Sequence, residues 1–332
     1  MAMKRRSFLQ SSLGVSGFAA LGLGSQVDAG RVAGLHWRDR SLTGLGTLLS
    51  LRVAHTDAAV AEQALDAAVT RIRHVEDQMS LFRPESALSR LNRDGVLVSP
   101  HADLFKILHI AQTISQRSQG AFDVTVQPLW AAFASAQHQG GLPTPAAVTQ
   151  ARTAVGWQKL AVSPQEIRLE PGMAVTLNGI AQGFAADTVR ETLQAMGIRH
   201  ALINTGEWAA LGQSSAGSEW HLGIANPRDA QALVARLALH GRCIATSADN
   251  ECSFSPDLKH HHIFDPHTGY SPTDLASVTV AATTCTVADA LTKVMFVAGY
   301  QGALRLARLW DVEVLVVRKN GEWQATPGLR LG

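Results

Sequence analysis

Cysteine is scarce in this 332-residue chain, which has three, at Cys243, Cys252 and Cys285. So few, and an odd number, exclude a disulfide framework, and their spacing fits no zinc motif. That leaves buried thiols, or one bridge in an oxidising compartment. An excess of one charge is also missing. The formal net charge is +2, and residues 1–29 hold Lys4, Arg5, Arg6 and Asp28, so the remainder is neutral. A neutral protein offers no electrostatic case for nucleic acid or for an anionic membrane surface. Neither G-x-G-x-x-G nor a P-loop lysine occurs, so the standard nucleotide folds are not indicated. No repeat or low-complexity tract interrupts the chain. What is present in quantity is hydrophobic residues, at 46%, enough for a folded core and too many for a disordered tail.

The first 29 residues stand apart. Lys4-Arg5-Arg6 precedes an apolar, glycine-rich run from Leu13 to Leu23, followed by the small-residue pattern Val27-Asp28-Ala29. The run is too short to span a bilayer comfortably, and the pattern is that of an export signal. Arg5-Arg6 followed by Ser7-Phe8-Leu9-Gln10 resembles the twin-arginine signal of proteins exported already folded. The expectation is a signal at 1–29 and a periplasmic protein, held at the membrane if the signal is not cleaved.

Residues 30–332 read as one unit without a clean domain boundary. "GLGTLLSLRVAH" (Gly44–His55) has the pattern of a strand. From Ala58, the positions Ala61, Ala64, Leu65, Ala68, Ile72, Val75 and Met79 recur at helical spacing. Pro84 ends that regularity, Glu85-Ser86 starts a short helix, and a further helix covers Ala102 to Arg117, closed by Gly120. Pro145 opens another. "MAVTLNGIAQGFAAD" predicts a strand entering a glycine turn and then a helix. Strands follow at His200–Gly206, Val278–Thr283 and Val312–Val317, and "TVADALTKVMFVAG" predicts a helix ending at Gly299. Strands and helices mix without regular alternation, which points to an α+β fold with mixed sheets.

Four stretches have chemical potential. A glycine turn opening a helix, as in "TLNGIAQG", presents backbone N–H groups to an anion. Asp123 in "GAFDVTVQPLW" can bond a base or ribose, or merely cap a turn. "ADALTK" places Asp289, Thr292 and Lys293 on one broad helix face, either as oxygen ligands for Mg²⁺ or as a plain Asp–Lys pair. "HHHIFDPHTGYSP" (His260–Pro272) lacks the further ligands of a structural zinc site. One histidine there suits a general base, since its ordinary pKa is near neutrality.

Taken in order, the motifs resemble the ApbE-type flavin transferases. "LGT" at Leu45–Thr47 is similar to that family's Met-Gly-Thr strand, and "LFRPESALSRLN" to Tyr-x-Pro-x-Ser-x-(Ile/Leu)-Ser-x-(Leu/Phe)-Asn. "GAFDVTVQPL" is close to Gly-Ala-Phe-Asp-x-Thr-x-x-Pro-Leu, and "LNGIAQGFAAD" to Leu-Gly-Gly-Ile-Ala-Lys-Gly-Tyr-Ala-x-Asp. "INTGEW", "IATSAD", "HIFDPHTG" and "TVADALTKVMFVAG" continue the series to Gly299. The resemblance implies transfer of FMN from FAD onto a threonine or serine hydroxyl of an acceptor flavoprotein, such as a membrane-associated redox subunit, with Mg²⁺ and release of AMP.

It also implies roles for particular residues. His262 would be the base. Contacts to FAD would come from Leu45, Leu81, Phe82, Arg83, Ala121, Phe122, Asp123, Thr176, Gln182, Gly206, Glu207, Ile263 and Phe264. Gly179 and Asp289, helped by Thr292, would hold Mg²⁺. His260, His261 and His267 would be loop residues at the rim.

Three positions depart from the family pattern. Gln182 stands for its lysine, Thr176 for its acid with Asn178 for the first glycine, and Lys293 for its hydroxyl ligand. An ammonium has no lone pair for a metal, so either Thr292 substitutes as ligand or Lys293 replaces the cation. The same departures admit two other readings: an FAD pyrophosphatase giving FMN and AMP, or a non-catalytic FAD-binding carrier or assembly factor.

Overall fold

The computed structural model describes residues 34–332; the export-signal reading of 1–29 lies outside them. β1 (His36–Gly44) and β2 (Thr47–His55) form a hairpin leading into α1 (Ala58–Met79) and α2 (Ala87–Asp94). Next come β3 (Val96–Val98), α3 (Ala102–Arg117), α4 (Gln127–His138), α5 (Pro145–Thr153) and the short strands β4 (Ala161–Val162) and β5 (Glu166–Arg168). α6 (Ala181–Ala195) precedes β6 (His200–Asn204), β7 (Trp208–Leu211), β8 (His221–Asn226), β9 (Asp229–Ala238) and β10 (Cys243–Ala248). β11 (Leu275–Ala282), α7 (Cys285–Trp310), β12 (Glu313–Arg318) and β13 (Trp323–Ala325) complete the order.

Eight strands make the main sheet in the order β1-β2-β6-β7-β10-β11-β12-β13, and its pairings are antiparallel. This is the α+β class expected. Both faces of the sheet are covered. Val314 and Val316 join the core beneath α7, with Leu291, Val294 and Met295, while Leu315 and Val317 pack against Trp220 and Ile224 of the β8–β9 hairpin. Every residue of β11 is therefore buried, and its sequence reads as an unbroken run instead of an alternating one.

α1 buries the seven positions that carry its helical spacing, Ala61 to Met79. Full burial of Leu65, Ile72, Val75 and Met79 contributes about 1.5–3 kcal/mol each. The Asp57 carboxylate caps its start by accepting from the Ala59 N–H at 2.8 Å. Ser86 caps α2 and Thr144 caps α5, with Pro145 in its first turn. Among the described residues no helix is long and apolar enough to cross a membrane, and the three cysteines are free thiols, Cys243 and Cys285 buried.

The structure departs from the sequence reading at several elements. The predicted strand before the Asn178-Gly179 turn is extended chain outside any sheet. Its backbone is satisfied instead by the Asn92 side chain, which accepts from Val175 N–H at 2.7 Å and donates to its carbonyl at 2.8 Å, and by Thr176 N–H donating to Val124 O at 2.8 Å. α7 does not end at Gly299. The residue breaks the helix with φ 70° and ψ −178°, and Asp274 accepts the Tyr300 N–H there at 2.8 Å before the helix resumes. The strand read from Gly44 begins at Thr47, because Leu45 and Gly46, at φ 50° and 83°, form the β1–β2 turn.

Candidate active site

α6 and α7 meet head to head beside β10. A Cβ on Gly183 would lie 2.2 Å from the Cys285 carbonyl oxygen, so only glycine permits this approach. The Asp187 carboxylate, one turn further along α6, caps the start of α7. It accepts from Cys285 N–H at 2.9 Å, Thr286 N–H at 2.8 Å and Thr286 Oγ1 at 2.6 Å. α7 is thus pinned at its first turn, and Asp289 follows one turn on, its Oδ2 accepting the Gly183 N–H at 3.0 Å.

A cleft of ≈ 150 Å³, partly open to solvent, lies above this junction. Of the residues expected to contact FAD, it gathers Ala121, Phe122, Asp123, Thr176, Gln182, Glu207, Ile263 and Phe264, together with His262 and Gly179. Leu45, Leu81, Phe82, Arg83 and Gly206 are outside its wall. Leu45 is tied to it through its carbonyl, which accepts from Gln182 Nε2 at 3.2 Å. Arg83 pairs with Asp77 at 2.6 Å on the protein surface.

The Cys252 carbonyl accepts both the backbone N–H of His262, at 3.0 Å, and its ring Nδ1, at 3.2 Å. A carbonyl only accepts, so Nδ1 carries the proton and Nε2 keeps the lone pair. Burial, then the nearby Lys293 charge, pushes the His262 pKa down to about 4 against the pull of the Cys252 bond. The imidazole is neutral at physiological pH. Glu251 Oε2 stands 4.0 Å from Nε2. Its carboxyl is pushed up to about 7, by burial first and further by the charges of Asp289 and Asp249. Although 43% of the Glu251 side chain is accessible, that face opens into the cleft, with protein behind it. Glu207 is buried, and its acid is raised well above the usual range by burial and the Asp289 charge.

Asp123 lines the cleft with its oxygens already engaged. Oδ1 accepts from Thr125 N–H and Oγ1, at 2.8 and 2.7 Å, and Oδ2 from Trp157 N–H at 2.9 Å. It braces the loop that carries Phe122. The other histidines split. His267 is exposed, whereas His261 is fully buried and not at the rim. It is held between Ser271 and the Pro272 carbonyl, with its ring against Phe296.

The expected metal ligands are arranged otherwise than the resemblance implies. Thr292 Oγ1 is fully buried and faces the sheet, donating to Asp289 O at 2.6 Å and sharing a 2.8 Å bond with Ser247 Oγ. Lys293 Nζ lies 2.5 Å from Asp289 Oδ1 and 3.2 Å from its carbonyl. Its Cε would be 3.0 Å from a Cβ on Gly179. The lysine stem thus runs past Gly179 and its ammonium takes the Asp289 oxygen assigned to Mg²⁺; both carboxylate oxygens of Asp289 are engaged, and the residues present do not fit that ion. Glu251 is what sequence reasoning missed, whereas the Asp289–Lys293 pair is one of the two readings it offered. Glu251 belongs to no motif and reaches His262 only through the fold.

The ApbE family model matches residues 45–316. This chain belongs to the ApbE family. A FAD:protein FMN transferase of Klebsiella pneumoniae is 31% identical over 294 residues, covering 83% of this ApbE chain and 87% of the relative. One of Haemophilus influenzae is also 31% identical, with 75% and 77% covered. The flavinyl transferase ApbE of Pseudomonas stutzeri, in its apo form, superposes with a TM-score of 0.77 at 25% identity, over 88% of this chain and 94% of that one. The ApbE protein of Thermotoga maritima gives 0.78 at 22% identity, over 88% and 97%, a likeness of fold.

Proposed function

We propose that this ApbE protein transfers FMN from FAD to a threonine or serine hydroxyl of an acceptor protein, with release of AMP. The acceptor oxygen bonds to the FMN-side phosphorus, the phosphoanhydride bond breaks, and AMP leaves. His262 Nε2 takes the hydroxyl proton. The observation that carries this reading is the fixed tautomer of His262 in a cleft lined by Phe122, Asp123 and Phe264. A histidine that is neutral before substrate arrives accepts a proton without first losing one, and the negative pyrophosphate of bound FAD raises its basicity towards neutrality. Such placement contributes about 10²–10⁴-fold to a transfer. Mg²⁺ has no part in this reading, since Lys293 takes the Asp289 oxygen that the ion would use.

The test is to incubate the protein with FAD and a candidate acceptor domain, then weigh the acceptor. A gain of one FMN supports transfer. Free FMN and AMP with an unmodified acceptor support hydrolysis, and intact bound FAD supports a carrier. We place the reaction in the periplasm, with a membrane-associated redox subunit as acceptor, on the strength of Arg5-Arg6 and the apolar run after it. Fusing residues 1–29 to a reporter that must fold before export tests that placement, and a reporter left in the cytoplasm would refute it.

A further inference from the structure

We propose that the Lys293 ammonium is the resident cation of this site, taking the place of a divalent ion, so that the pyrophosphate is recognised without a metal. Four observations meet at this point. The Lys293 side chain crosses from the Gly179 turn to Asp289: a methyl group on Gly179 would press on its Cε at 3.0 Å, and its ammonium ends on the Asp289 carboxylate. Both oxygens of Asp289 are engaged, Oδ1 by Lys293 at 2.5 Å and Oδ2 by the Gly183 N–H at 3.0 Å. The one hydroxyl within reach on the same helix, Thr292, is turned into the sheet and bonded to Ser247. Glu207 and Glu251 also line the cleft, but they do not converge with Asp289 on a common point. Among the described residues, the groups close enough to share an ion are His74–His101–Asp103 and Asp187–Cys243–Cys285, both outside the cleft.

The chemistry of the two cations differs in what it asks of the protein. Mg²⁺ demands about six oxygens in near-octahedral array at short range. An ammonium asks only for acceptors, and it offers three N–H donors. Two of those are spent on Asp289, at Oδ1 and the main-chain carbonyl. The third remains for an oxygen in the cleft, which Lys293 itself lines. Lysine as a point charge is a common phosphate binder. The position also restores a balance, because Gln182, where the family pattern has lysine, lines the same cleft without a charge. One positive side chain is absent at 182 and one is present at 293.

The test uses the full-length protein, with FAD affinity followed by flavin fluorescence after dialysis against EDTA and again with excess Mg²⁺. This readout does not depend on FMN transfer, so a protein that binds FAD but modifies no acceptor would sink the function above and leave this comparison standing. Wild type is expected to bind FAD within about twofold under both conditions, since a charge-assisted bond to phosphate needs no added ion. Lys293→Met should weaken FAD binding about 10–100-fold in both, the loss of one charge-assisted hydrogen bond. Lys293→Thr should be equally weak in EDTA and recover with Mg²⁺, because it empties the space and supplies a hydroxyl beside Asp289. Urea midpoints near wild type show that each variant is folded, and Lys293→Arg, which keeps the charge, serves if the Met variant is not. Wild-type binding that collapses in EDTA and returns with Mg²⁺ overturns the proposal, as does a folded Lys293→Met that binds FAD as tightly as wild type.

Discussion

Replacing His262 with glutamine separates the base from the fold that holds it. The imidazole is pushed from an ordinary 6.5 to about 4 in the folded protein. Between those values the unfolded chain binds a proton that the folded chain refuses. The stability linked to His262 is therefore present above pH 6.5 and drains away as pH falls towards 4. The gap from 6.5 to about 4 corresponds to about 3 kcal/mol at most. The cleft-facing side of the ring, 26% accessible, lowers that figure somewhat.

Glutamine keeps polarity but does not titrate. Urea unfolding of both proteins at a series of pH values should show wild type losing about 2–3 kcal/mol more than His262→Gln between pH 7 and 4.5. The difference between the two curves is the quantity to read, because His261, pushed down to about 3 by burial first and then by the His262 charge, gives both proteins a further slope of the same sign, shallower in the glutamine variant. The same variant should keep FAD and lose transfer by about 10²–10⁴-fold. Parallel stability curves would mean that His262 is not held neutral by burial, and the case for a base that is ready before substrate arrives would fall with it.

Gly183→Ala should destabilise the protein by about 3–5 kcal/mol, from the clash with the Cys285 carbonyl and the loss of the Gly183–Asp289 bond; a urea midpoint close to wild type would contradict the close approach of α6 and α7. Asp187→Ala removes the cap of α7 and should cost about 2–4 kcal/mol while also weakening FAD binding, since α7 carries Lys293. Full stability in that variant would show that α7 needs no such anchor. For Glu251 the sign is opposite to His262. Its folded carboxyl is raised, so the stability linked to its proton is present below about pH 4.5 and lost as pH rises through about 7. Glu251→Gln should therefore gain on wild type as pH rises across that window, and unfolding curves at pH 5 and 8 that shift equally would refute the burial argument.

Much of this fold is written locally. The seven apolar positions of α1 repeat at helical spacing and are the seven it buries, and Pro145 falls in the first turn of α5. β1 was not legible, because "HWRDRSLTG" alternates charge and bulk on a sheet edge that buries one end residue of nine. The segment before Gly179 reads as a strand because its side chains alternate, but the partner of its backbone is the Asn92 amide, 83 residues away, which no local pattern announces. At the site, the motifs named His262, Asp123 and Phe264 because they are contiguous signatures. Of the two readings left open at 292 and 293, geometry favours the lysine. One residue is about 100° of helix, enough to turn a hydroxyl from the cleft into the sheet while its neighbour Lys293 stays at the wall.

The break at Gly299 divides α7 into two lengths with different duties. The first, Cys285 to Ala298, is a rod of about 20 Å, clamped at its head by Asp187 and carrying Asp289 and Lys293 within its first three turns. The second length starts afresh from Asp274, through its bond to Tyr300. The joint sets the two lengths on separate polar anchors, the first on Asp187 and the second on Asp274. The lysine and its aspartate lie in the fourteen residues before the break, while Ala303 and Ala307 beyond it pack into the same core as Leu291, Val294 and Met295.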